Sequence, residues 1–260
     1  MTHRETFKFG KLGLRGSNAP SITQLDSRIA QSNFSSRISS SAGEREGARN
    51  IEVTNNYYYF TYVTEMQDQI TVLDNQNNDQ PDTIVPRRTS RVIYFGSGKY
   101  AYESNEDILD SWIPEFLVGS NLNSNQWKKY DDLSSSEMRS FYANSNDLRN
   151  IKYENIGENP PNSNWPSGTI ETHISELSKE ADSVVISTGH FDNDLNQARI
   201  IDRFSDCSDI AAVSATDSNG DSVRLKNSGV LSFSWQEGLS PAQEALAIER
   251  NVNRILPNLP

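Results

Sequence analysis

Asp182-Ser183-Val184-Val185-Ile186-Ser187-Thr188-Gly189 opens the stretch, ending at Trp235, whose reading decides the fold. The apolar run 184–186, closed by Gly189, marks a short strand. Leu195, Ala198, Ile201 and Phe204 then recur at helical spacing. Two extended runs follow, split by Asp217-Ser218-Asn219-Gly220-Asp221, and a third run, residues 230–235, comes after Gly229. Asn-Gly between alternating runs is the strongest short hairpin signal. The pattern predicts a strand, a helix and a three-strand meander, and this stretch is expected to be structural core.

Working outward, residues 169–181 place Ile170, Ile174 and Leu177 on one helical face and lead into the first strand. Downstream, Ser240-Pro241-Ala242-Gln243 carries an N-cap serine, proline at the first helical position and glutamine at the third. That helix is predicted to run through Leu246, Ile248, Val252 and Ile255 to Pro257. Upstream, residues 120–168 hold a capped helix at Leu133-Ser134-Ser135-Ser136-Glu137-Met138 and the turn signals Pro160-Pro161 and Trp165-Pro166. They form a candidate connection, lid or binding loop.

The N-terminal half is read the same way. Residues 7–14 alternate apolar and polar and predict a strand. Ser21-Ile22-Thr23-Gln24 predicts a capped helix with Ile22, Leu25 and Ile29 on one face. Residues 32–48, rich in Ser, Gly and charge, are expected to be a linker. Residues 51–63 form a β region whose Tyr57-Tyr58-Tyr59-Phe60-Thr61-Tyr62-Val63 is strongly strand-forming. Its rings stack on bases or pack in a sheet, and packing is the expected role. Residues 70–73 are a strand and residues 74–82 a solvated hairpin loop. Residues 91–95 and 99–103 are strands joined at Gly96-Ser97-Gly98. That turn lacks the spacing of a phosphate-binding loop and lies between strands rather than before a helix. A helix then presents Ile108, Leu109, Trp112, Ile113, Phe116 and Leu117, with Pro114 inside and Gly119 at its end; Trp112 is expected in the core.

The fold expected is α+β: two β-containing lobes of antiparallel hairpins and meander, each packed by helices. Its expected parts are a basic segment 1–49, a β-rich lobe 50–119, a loose connection 120–168 and an α+β lobe 169–260.

The chain of 260 residues carries a net charge of −11. Residues 1–50 hold eight Lys or Arg against four acids, so the remaining 210 residues carry −15. A basic segment on an acidic body contacts a polyanion or its own body. A second basic feature is the acid-free window 83–101, which contains Arg87, Arg88, Arg91 and Lys99. With Lys8, Lys11 and Arg15 these are the candidate nucleic-acid contacts. An edge strand protected by charge is the alternative explanation.

The single cysteine, Cys207, excludes an internal disulfide and a cysteine-based zinc site. The charged N-terminus has no apolar run, and no stretch approaches the roughly 20 apolar residues of a membrane span. A soluble, cytoplasmic protein without a cofactor is therefore expected.

His190, Asp192 and Asp194 cluster after the 184–186 strand, where a metal site or an acid–base pair of a hydrolase would be built. Asp192 or Asn193 as N-cap and Asp194 near the helix dipole account for the same cluster structurally. His173 has no ligand partner at metal spacing, and no Ser/His/Asp order or nucleophile elbow is present.

Ser183-Val184-Val185-Ile186, Asp194, Ala198, Ile201, Ser208-Asp209-Ile210, Asp217, Gly220-Asp221 and Gly229-Val230-Leu231-Ser232 follow one another in an order that resembles the C-terminal half of RexA-type phage-exclusion proteins. The hairpin at residues 94–100, feeding a helix that ends Pro114-Glu115-Phe116-Leu117, is compatible with that family's N-terminal half. The resemblance implies an abortive-infection protein that forms a homo-oligomer, binds DNA with little sequence preference and signals to a membrane-protein partner. It transfers no functional residue. The expectation taken forward is a non-enzymatic intracellular binding protein that contacts DNA. A protein-interaction dimer is the first alternative, and a hydrolase using His190, Asp192 and Asp194 is the second.

Overall fold

The structure, a computed structural model, describes residues 2–14, 19–31, 45–65, 68–73, 76, 78–84, 86–103, 109–119, 126–145, 147–156, 181–188, 201, 204–205, 208–216, 220–236 and 239–255. Along the chain run β1 (Thr2–Leu12), α1 (Ile22–Gln31), β2 (Arg45–Val53), β3 (Tyr57–Glu65), β4 (Asp68–Leu73) and β5 (Asp79–Ile84). Then come β6 (Arg87–Phe95), β7 (Lys99–Glu103), α2 (Leu109–Val118), β8 (Trp127–Lys129), α3 (Ser135–Ala143) and β9 (Asp147–Glu154). The chain continues with β10 (Ser183–Ser187), β11 (Asp209–Thr216), β12 (Ser222–Lys226), β13 (Leu231–Gln236) and α4 (Pro241–Ile255). Every strand pairing with a defined register is antiparallel, and the fold is α+β and rich in strand.

The chain divides into two compact units, Gly10–Lys129 and Met1–Phe9 with Tyr130–Pro260. β1 is shared between them by sequence.

In the Gly10–Lys129 unit the strand order is β7-β6-β3-β2, and β8 pairs with the C-terminal end of β1. β3 lies between β2 and β6, with Phe60 opposite Val92 and Tyr58 opposite Tyr94. Period-2 alternation puts Tyr58, Phe60 and Tyr62 on one face, where they join Leu25 and Ile29 of α1 and Ile113, Phe116 and Leu117 of α2 in one apolar cluster. Tyr57, Tyr59 and Val63 on the other face are buried too. The phenol hydroxyls find acceptors at the rim of this core. Tyr58 donates to Asp26 (3.2 Å), Tyr62 to Glu46 (3.0 Å) and Tyr57 to Glu52 (2.8 Å). Burial raises the pKa of Tyr58 and Tyr94, and burial with the Glu52 bond pushes Tyr57 up to about 12. The tyrosine run is thus packing, as its strand character leads one to expect.

The caps read from sequence are present. Ser21 and Gln24 exchange the two bonds of a capping box, and Ser134 and Glu137 do the same at α3. Gly98 closes the β6–β7 turn at φ +84, and a β-carbon there would lie 2.8 Å from the Leu12 carbonyl oxygen.

In the other unit the strand order is β10-β9-β11-β12-β13-β1. α3 packs on α4 and on β11. Phe7 meets Phe233 edge-on at 6.1 Å, and Tyr153 stacks on Phe204 at 5.3 Å. The Tyr153 hydroxyl lies 3.0 Å from Ser205 Oγ. The meander 209–236 is as expected, and Ser240 and Gln243 cap α4.

Four expectations are corrected. β2 begins at Arg45, inside the stretch read as a linker, because Ala48 drops into the core while its charged neighbours stay on the rim. Residues 79–82 are strand rather than loop: Asp79, Gln80, Pro81 and Asp82 pair with Leu73, Val72, Thr71 and Ile70. Trp112 is only partly buried, since α2 turns Ile113, Phe116 and Leu117 inward. The run 184–186 is not core: β10 is the last strand in the order, and Val185 is 55% exposed. Residues 169–180 of the helix predicted at 169–181, and most of the one at 195–204, lie outside the described residues, though Ile201 and Phe204 are helical and buried.

Candidate interaction surface: the basic hairpin and the acidic arm

β6 carries the three arginines singled out from sequence. Its register against β3 sets Arg87 opposite Glu65, Arg88 opposite Thr64 and Arg91 opposite Thr61. Alternation therefore places Arg87 and Arg91 on one face of the strand and Arg88 on the other. Each guanidinium is held by a carboxylate. Arg87 donates from Nε and Nη2 to Glu65 Oε1, at 2.9 and 2.8 Å. Arg88 donates from Nη2 to Asp68 Oδ2 at 2.6 Å. Arg91 forms a two-point bond, Nε to Glu103 Oε2 at 3.1 Å and Nη2 to Oε1 at 3.2 Å. The window is free of acids in sequence, but the acids arrive from β3, β4 and β7.

The remaining candidates are dispersed. Lys99 starts β7 and is half-buried. Lys11 lies opposite Lys128 on β8 and is only 7% exposed. Lys8 is half-buried and belongs to the other unit. Arg15 lies outside the described residues, as do His173, His190, Asp192, Asp194 and Cys207. Among the described residues no group of three or more His, Cys, Asp or Glu could hold a metal ion. No helix among them is long and apolar enough to cross a membrane.

The sequence reading placed a strand at 70–73 but missed β5 and gave neither strand a role; β4 and β5 form a separate two-stranded sheet. None of their residues is buried. Ile70, Val72 and Ile84 share one face, since Ile70 lies opposite Asp82, Val72 opposite Gln80 and Ile84 opposite Asp68. Leu73 points to the other face and is 66% exposed. Residues 68–84 contain four aspartates and no Lys or Arg. The result is an acidic arm with apolar residues in water, joined at its base to β6 by the Arg88–Asp68 pair. Its sequence signal was the alternation Ile70, Val72 followed by Thr83-Ile84. The Asn- and Gln-rich turn between the strands masked it.

No family model matches the chain, and no curated protein matches it.

Proposed function

We propose that this chain is a binding protein whose partner is another protein, engaged through the β4–β5 arm. One observation carries the reading: an acidic hairpin keeps Val72, Leu73 and Ile84 in water and contributes nothing to the core. Apolar residues ringed by one sign of charge suit a protein surface with an apolar centre and a basic rim. The arm's aspartates oppose an approaching phosphate backbone. The paired arginines beside it add little free positive field.

A second reading is nucleic-acid contact by the β6–β7 hairpin, DNA binding being what the resemblance implies without assigning it to any residue. The acid-free window 83–101 favours it. It requires Arg87, Arg88 and Arg91 to exchange Glu65, Asp68 and Glu103 for phosphates. A virus-exclusion setting fits either reading and rests on the resemblance.

A photo-crosslinking residue at Leu73 tests the first reading against one at Ser222, an exposed residue of β12. The expected result in producing cells is a discrete protein adduct specific to position 73. That protein, once purified, binds the wild type and loses roughly tenfold or more in affinity to the Asp79→Asn/Asp82→Asn variant. Absence of a position-specific adduct sinks the proposal. So does duplex DNA binding by anisotropy that steepens as salt falls and disappears in the triple variant Arg87→Ala/Arg88→Ala/Arg91→Ala.

A further inference from the structure

β2 ends the strand order of one unit and β10 that of the other, and they are built differently. β2 has the devices that keep an edge single: Arg45, Glu46, Arg49 and Glu52 along it, a register shift between Arg49 and Glu52, and Asn50 at φ 51. β10 is Ser-Val-Val-Ile-Ser, with no charge, no proline and an unbroken register against β9. Among the described residues no strand pairs with its outer edge. Val185 is 55% exposed there.

We propose that this edge is where two copies of the chain pair, β10 against β10, antiparallel about a two-fold axis through Val185. Two independent features select that centre. The first is hydrogen-bond phase. The Thr188 amide donates to the Arg149 carbonyl at 3.0 Å, one step beyond the Ser187–Asn150 pair. Antiparallel bonding alternates, so the backbone groups of Val184 and Ile186 face β9, and those of Ser183, Val185 and Ser187 face outward. A second strand meets those three outward residues. The second feature is the sequence, which is nearly symmetric about Val185. Pairing there sets Val185 opposite Val185, Ser183 opposite Ser187 and Val184 opposite Ile186. Each opposed pair is like with like in size and polarity.

The neighbouring strand suits the arrangement. Tyr153 and Ile151 lie beside Val184 and Ile186 and are buried, so the apolar row continues across the seam. On the other face Lys152 is paired to Glu154 at 2.5 Å within its own chain. The seam therefore brings no unmatched like charges together. Five residues of strand bury far less than the roughly 1,200 Å² of a standard stable interface. The dimer is accordingly one that dissociates on dilution.

Sedimentation velocity over a wide concentration range should show monomer giving way to dimer. Val185→Lys, which opposes two ammonium groups at the axis, should weaken dimerisation by roughly tenfold or more. Val185→Pro should do the same while sparing the β9 ladder, because that N–H faces outward. Circular dichroism checks that both variants remain folded, and Val185→Thr, which keeps the branched side chain, should dimerise nearly as well as wild type. In a Cys207→Ser background, Val185→Cys should form a disulfide-linked dimer on mild oxidation. Ser183→Cys should not do so alone, and should crosslink when mixed with Ser187→Cys. A wild type that stays monomeric throughout would overturn the proposal. A dimer that survives both Val185→Lys and Val185→Pro would do so equally, as would one crosslinked through Ser183→Cys alone.

Discussion

β3 and the β4–β5 arm are consecutive in the chain and share a taste for the extended state, yet they meet opposite fates. β3 is buried along nearly its whole length, on both faces. No residue of the arm is fully buried. Propensity does not separate them: Ile70-Thr71-Val72-Leu73 is as strand-forming as Tyr59-Phe60-Thr61-Tyr62. Neighbours do. β3 has β2 on one side and β6 on the other, with α1 and α2 across one face. Among the described residues β4 and β5 pair as strands only with each other, and a two-stranded ribbon has no second layer to cover it. What looks like one kind of sequence thus supplies stability in one place and a free surface in the next.

The largest expected effect comes from breaking the buried member. Phe60 is fully buried and meets Tyr58 at 5.8 Å and Phe116 at 5.8 Å between ring centroids. Phe60→Ala removes both ring contacts and leaves a cavity between β3 and α2. The expected cost is about 3–5 kcal/mol, seen as a lowered urea midpoint. A loss of less than about 1 kcal/mol would mean that β3 is not the centre of this core.

Features written in adjacent residues were legible before the structure. The Ser21, Ser134 and Ser240 caps need only a serine and a partner three residues on. The meander needed Asn219-Gly220 and Gly229, and the β6–β7 hairpin needed Gly96-Ser97-Gly98. Gly229 makes the point in reverse. Its φ of +69 suits a turn, but the reason no side chain fits is the Tyr130 carbonyl oxygen, 1.4 Å from where a β-carbon would sit. That oxygen is far away in sequence. The same distance hid the partners of the basic window. Glu65, Asp68 and Glu103 lie outside residues 83–101, so counting charges along the chain made Arg87, Arg88 and Arg91 look available. The exposure of Val185 was hidden for a related reason. Three apolar residues in a row describe a buried strand and an edge strand alike, and only strand order tells them apart.

An intermediate effect separates the two regions by pH. The hydroxyls of Tyr57 and Tyr58 are bonded to carboxylates as neutral donors, and ionisation would set phenolate against Glu52 or Asp26. The folded pKa of Tyr57, about 12, and those of Tyr58 and Tyr94 lie above the ordinary value of roughly 10. A group raised on folding contributes stability that is complete below the unfolded pKa and disappears as pH rises through the folded one. Stability should hold to about pH 10 and decline steadily toward about pH 12. Urea midpoints across that interval check it, and Tyr58→Phe should flatten the decline. The arm contains no tyrosine, so deleting residues 69–83 should leave the slope unchanged.

The smallest expected effect is on the arm itself, and it is the most informative about what the arm is for. Val72 and Leu73 are exposed and belong to no core cluster, so Val72→Ser/Leu73→Ser should change stability by no more than about 0.5 kcal/mol. If the pair instead costs as much as a core substitution, the arm is structural and its apolar residues are accounted for without a partner. If the fold is indifferent, folding does not explain why Val72, Leu73 and Ile84 are apolar. The contrast with β3 then assigns the difference to recognition: side chains that stabilise nothing within the chain are kept where another surface can cover them.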